Sequence, residues 1–128
     1  MNTAQLEKKV VDSAEKVLKE KGYVSSLDVL LGINYLTSVN IDDWKKGRIP
    51  YLERVVQANL NKISNAMKFF KQWAVRKGLK PSETKYLTKA QEGKRELQFS
   101  KSGNSKIELA YRTHYVALKM SEKKYQGL

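Results

Sequence analysis

Apolar residues recur at three- and four-residue steps along most of this 128-residue chain, the spacing that places side chains on one face of an α-helix. The longest such pattern runs from 50 to 77, where Leu52, Val56, Leu60, Ile63, Met67, Phe70 and Ala74 form one stripe. Tyr51, Val55, Ala66, Phe69 and Trp73 widen it to an arc broader than a coiled-coil seam, so the spacing predicts one long central helix. Pro50 suits its first position, and Gly78, Leu79 and Pro81 suit its end. Its outer arc carries Arg54, Gln57, Asn61, Asn65, Lys68, Gln72 and Arg76, with Lys77 closing it.

Residues 3–21 predict a first helix, with Leu6, Val10, Ala14, Val17 and Leu18 on one face, Asn2 or Thr3 as N-cap and Gly22 as stop. Ser25 or Ser26 caps a short second helix, LDVLLG, with Asp28 in its first turn and Gly32 at its end. The connector INYLTSVN holds enough apolar residues to be pinned to the core, and Asn40 or Asp42 opens a further turn, IDDWKK, that stops at Gly47.

After Pro81 the period shortens towards two. TKYLTKA, QEGKR and ELQFSKS read as a hairpin near 84–102, with Lys85, Lys89, Lys94, Arg95 and Lys101 projecting around it. Lysines on such strands serve equally well as a wing on a phosphate backbone and as a guard against edge-to-edge pairing. Gly103 and Asn104 mark a turn. Residues 106–118 fit either a strand or a helix, and the spacing of Ser105 and Glu108, the form of a capping box, favours the helix. The expected fold class is mainly α with a small β-hairpin, a helical bundle around one long central helix. It forms a single domain over 1–120, with a tail at 121–128 that has little reason to be ordered.

Charge changes the picture more than composition does. The net charge is +12, but residues 1–43 hold five Lys/Arg against seven Asp/Glu, and residues 44–106 hold sixteen against four. The excess thus lies in the middle of the chain, where a basic surface would meet polyanions, nucleic acid first and anionic lipid second. Lys45, Lys46 and Arg48, then Arg54, Lys68, Arg76 and Lys77, then Lys94, Arg95 and Lys101 are the candidate nucleic-acid contacts. Asn and Gln interleaved with Arg and Lys are side chains able to read base edges.

Candidate chemistry is sparse. With no cysteine there are no disulfides, thiolate metal sites or Cys nucleophile, a composition compatible with a reducing cytoplasm. The first sixteen residues lack the apolar core of a signal peptide, and no apolar run approaches membrane-spanning length, so a cytoplasmic location is expected. His114, the one histidine, has no second ligand near it in sequence and reads as a core residue. Asp42 and Asp43 are adjacent and point apart on a helix, Ser13–Lys16 and Ser82–Lys85 have Ser-x-x-Lys spacing without the large domain such enzymes need, and SGNSK lacks Walker spacing. No catalytic residue, cofactor or metal is expected.

Two stretches, YVSSLDVLLGI and IDDWKKGRIPYL, together resemble the helix-turn-helix half of mercury-resistance-type regulators and phage excisionases. The matching residues are Val24, Val29, Leu30, Gly32 and Ile33, then Trp44, Lys46, Gly47, Arg48, Ile49 and Pro50, all within 24–50. The resemblance implies a winged helix-turn-helix-like arrangement in which the second helix enters the major groove, hence a DNA-binding regulator, with DNA preferred to RNA as partner. Taken on their own, Trp44, Ile41 and Ile49 are equally core residues of a helical corner. The competing readings are a module for acidic protein or anionic membrane partners, and a self-association domain forming a homodimer through the wide apolar arc.

Overall fold

The computed structural model describes residues 2–88 and 95–118. Among these residues, five α-helices and a three-stranded antiparallel sheet make a mainly helical α+β fold.

Helix α1 (Thr3–Lys21) starts at Asn2, whose side chain accepts the Gln5 N–H while Gln5 returns a bond to the Asn2 N–H, and it stops at Gly22 in the left-handed conformation. Strand β1 (Tyr23–Val24) leads into α2 (Ser26–Gly32). Ser25 is the cap here: its hydroxyl accepts the Asp28 N–H, and Asp28 accepts the Ser25 N–H. Gly32 ends α2 as the sequence suggested, and the left-handed conformation falls two residues later, on Asn34 at φ 66°. The glycine serves close approach, because a Cβ at 32 would lie 1.8 Å from the Ser13 hydroxyl and 3.0 Å from its Cβ on α1.

Helix α3 (Ser38–Lys45) begins earlier than Asn40 or Asp42, because the Thr37 hydroxyl caps it by accepting the Asn40 N–H. Five residues therefore separate α2 from α3. Trp44 is the one buried residue of α3, and its indole N–H donates to the Gln98 carbonyl at 2.8 Å.

The single helix expected over 50–77 is two pieces. A 3-10 turn (Leu52–Val55) comes first, Val56 is extended, and α4 (Leu60–Arg76) starts at Asn59, whose side chain accepts the Lys62 N–H. The periodicity is compatible with continuous helix, but the backbone donors are committed elsewhere. Leu52 and Glu53 donate to the carbonyls of Gln98 and Phe99, and Gln57 donates to Tyr35. Pro50 accordingly precedes the turn rather than opening a helix, and Leu60, placed on the apolar stripe by spacing, is 66% exposed in the first turn of α4. Ile63, Ala66, Phe69, Phe70, Trp73 and Ala74 are buried as the spacing predicts. They face α1 and α2.

The sheet is not built from the expected hairpin. Strand β2 (Lys80–Glu83) and β3 (Thr113–Val116) pair antiparallel, β1 joins on the other side of β3, and the order is β1-β3-β2. Pro81 is tolerated because β2 is an edge strand. At the hairpin position, Leu87 and Glu96 form one antiparallel bridge, with Thr88 donating to Arg95 and Leu97 donating to Tyr86 across it. The antiparallel pairing expected there is present at its base; the tip, 89–94, lies outside the described residues, as does the tail 121–128.

Residues 106–118 are both of the alternatives in succession. Helix α5 (Ser105–Arg112) is capped by Asn104, not Ser105, and passes directly into β3. Glu108 does not close a capping box; its carboxylate accepts the N–H groups of Phe99 and Ser100 and the Ser100 hydroxyl. Glu53 similarly accepts the Lys101 N–H and the Tyr111 hydroxyl, so two carboxylates hold the 99–101 segment in place.

Two aromatic groups fill the core. Phe99 meets Trp44 at 4.9 Å, Tyr86 at 5.2 Å and Tyr111 at 5.2 Å between ring centroids, while Phe70 meets Tyr115 edge-on at 5.1 Å and Trp73 at 6.2 Å. Alternation along β3 separates them: Tyr115 points towards α4, and His114 points the opposite way towards Tyr86. Among the described residues, no helix is long and apolar enough to cross a membrane.

Candidate nucleic-acid interface

The basic exit of α3 is the best-organised part of the predicted contact set. Lys46 caps the helix, Gly47 turns the chain at φ 79°, and Arg48 follows exposed. Only a glycine fits this turn without strain, and the space beside it is occupied: a Cβ at 47 would lie 3.1 Å from an Arg95 guanidinium nitrogen and 3.1 Å from the Thr88 hydroxyl. The base of the hairpin thus sits against the α3 exit, and Arg95 joins Lys45, Lys46 and Arg48 although about fifty residues separate them in sequence.

Carboxylates temper this cluster. Lys46 pairs with Asp42 at 2.9 Å and Arg48 with Asp43 at 3.0 Å. The two cations retain side-chain exposures of 45% and 64%, and exposed pairs of this kind contribute about 0–1 kcal/mol, so an incoming phosphate can displace the carboxylates at little cost. Among the described residues Lys45 has no carboxylate within ion-pair distance.

The other predicted contacts are dispersed. Arg54 is exposed on the 3-10 turn, Lys68 and Arg76 are exposed on α4, and Lys101 is exposed in the segment held by Glu53. Lys77 pairs with Glu15 of α1 at 3.2 Å. That carboxylate also accepts the Trp73 indole N–H at 2.9 Å, the main cause of its lowered pKa, with Lys77 adding to it against partial desolvation. Lys77 therefore joins α4 to α1 rather than extending the α3 cluster. Lys94 lies outside the described residues.

His114 is buried, as its reading as a core residue anticipates, but on a strand rather than a helix face. Its Nε2 lies 2.7 Å from the Tyr86 hydroxyl, and its ring stacks on Tyr23 at 5.7 Å with 9° between planes. Burial lowers its pKa from 6.5 to about 4, with Asp28 partly opposing and Lys21 reinforcing the shift, so the ring is neutral at pH 7. Among the described residues, no group of three or more His, Cys, Asp and Glu is placed to hold a metal ion.

Lys85, one of the hairpin lysines, and Tyr86 lie outside the expected contact set but line a cleft. They face α2 and α3 across a cleft whose walls come from four separate stretches of chain, and no local pattern encodes that meeting. Comparisons with protein-family models, with curated proteins and with solved structures return no match to this chain.

Proposed function

We propose that this chain is a non-enzymatic nucleic-acid-binding protein, a winged helix-turn-helix-like DNA-binding regulator. The observation that carries the proposal is the seating of Arg95 beside Gly47, which joins the hairpin base to the basic exit of α3. Helix α3 follows α2 after a short connector and buries only Trp44, leaving Ser38, Val39, Asp42 and Lys46 exposed. A surface helix of this kind can lie in a major groove, where Val39 has the apolar character to meet a thymine methyl group. Lys45, Lys46, Arg48 and Arg95 then serve as phosphate contacts. Lys68 and Arg76, on the exposed side of α4, are peripheral.

Fluorescence anisotropy with duplex DNA and with RNA of matched length, at several salt concentrations, tests this proposal. The duplex is expected to bind at about 50 mM salt and to weaken steeply as salt rises, because phosphate neutralisation releases counterions. Arg48→Glu with Arg95→Glu should weaken binding by about tenfold or more, and Lys68→Glu with Arg76→Glu by much less. No binding at low salt, or a larger loss from the α4 pair, overturns it.

A further inference from the structure

A cavity of about 570 Å³ opens between α2, α3 and the hairpin base. Its size falls within the range of roughly 300–1,000 Å³ typical of small-molecule sites. Tyr23, His114 and Tyr86 line it as a continuous aromatic group, with the His114 ring parallel to Tyr23 and tilted at 68° to Tyr86. Leu27 of α2, Ile41 of α3 and Leu97 of the hairpin base supply apolar wall, and Leu31 and Leu87, about 40% exposed, continue it.

The charges lining the cavity do not cancel. Of its two carboxylates, Asp28 already accepts the Ser25 N–H, the Ser25 hydroxyl and the Lys21 ammonium at 2.8 Å, and Asp42 is paired with Lys46. Lys21 is therefore neutralised, and it also lies over the Tyr23 ring at 4.9 Å. Lys45 and Lys85 line the same cavity, and among the described residues neither has a carboxylate partner. Aromatic and aliphatic walls with an excess of ammonium groups select a ligand that is flat and apolar at one end and anionic at the other.

We propose that this cleft binds an amphipathic organic anion of the aromatic carboxylate class, its ring against Tyr23 and Tyr86, which His114 backs from within the core, and its carboxylate drawn to Lys45 and Lys85. Lys45 belongs both to this cleft and to the proposed phosphate contacts, but the cleft is defined without reference to any nucleic acid and is tested in its absence. Helix α3 contributes Ile41 and Lys45 to the wall.

The experiment is a ¹⁵N–¹H correlation titration of the whole chain with 1-naphthoate, alongside its neutral analogue 1-naphthamide. Saturable shifts at the amides of Tyr23, Leu27, Ile41 and Leu97 are expected, with 1-naphthamide binding at least about tenfold more weakly. Lys45→Glu with Lys85→Glu should lose a similar factor while keeping the dispersion of a folded protein. The comparison of the two naphthyl compounds on the unaltered chain stands even if the double variant does not fold. Absence of saturable shifts up to about 5 mM probe, equal binding of the two compounds, or shifts confined to other surfaces overturns the proposal.

Discussion

The Trp44 indole N–H donates to the Gln98 carbonyl at 2.8 Å, which ties the end of α3 to the strand-like segment leaving the hairpin. The same carbonyl accepts the Leu52 N–H at 3.1 Å. One backbone oxygen thus joins three stretches of chain, and the fully buried indole ring adds its packing on Phe99 and Tyr86.

Packing and hydrogen bonding at Trp44 can be separated. Trp44→Phe removes the donor but leaves the Gln98 carbonyl bonded to Leu52, so urea unfolding should show a loss of only about 1–2 kcal/mol, from the bond and some volume. Trp44→Ala empties the site and should cost about 3–5 kcal/mol. Equal losses from the two variants would mean that the hydrogen bond, not the ring, carries the contribution.

Close approach of α2 to α1 is set at Gly32. Gly32→Ala should destabilise the protein by about 1–3 kcal/mol despite the better helix propensity of alanine, because its Cβ would overlap Ser13. Ser13→Ala removes the nearer obstacle, the hydroxyl, and should recover much of that loss in a double-mutant cycle. Simple additivity of the two substitutions, measured by thermal or urea unfolding, would contradict the contact.

Acid sensitivity should come from His114. Its folded pKa of about 4 lies below the ordinary 6.5, so the unfolded chain binds the proton more readily. Stability from this group is therefore full above pH 6.5 and falls as pH drops towards 4, by an amount on the order of 2–3 kcal/mol. Urea midpoints taken between pH 7.5 and 4.5 should decline in the unaltered protein, and His114→Asn should flatten that decline even if it lowers stability throughout. Parallel pH profiles would exclude His114 as the source.

Helical content and most helix ends were legible in the sequence because they depend on near neighbours. The reciprocal bonds of Asn2 with Gln5 and of Ser25 with Asp28 close within three residues, and the buried set from Ile63 to Ala74 follows helical spacing. The candidate interface was legible in part: Lys45, Lys46 and Arg48 lie within four residues, but the arrival of Arg95 at Gly47 depends on the hairpin base docking there.

Sequence alone determined the mainly helical class of fold, the extent of α1 and α2 and the concentration of positive charge after residue 43. Tertiary structure decided where the central helix breaks: the Gln57 N–H, which a continuous helix would give to the Glu53 carbonyl, goes to Tyr35, while Leu52 and Glu53 donate to Gln98 and Phe99. It also decided the sheet, whose two-residue, proline-bearing and helix-adjacent strands carry too little alternation to be read locally and exist because β3 pairs with both neighbours. The cleft lined by Tyr23, Lys45, Lys85 and His114 has the same origin. Local spacing encodes which face of an element is apolar, whereas only chain closure over tens of residues brings those four side chains to one cavity.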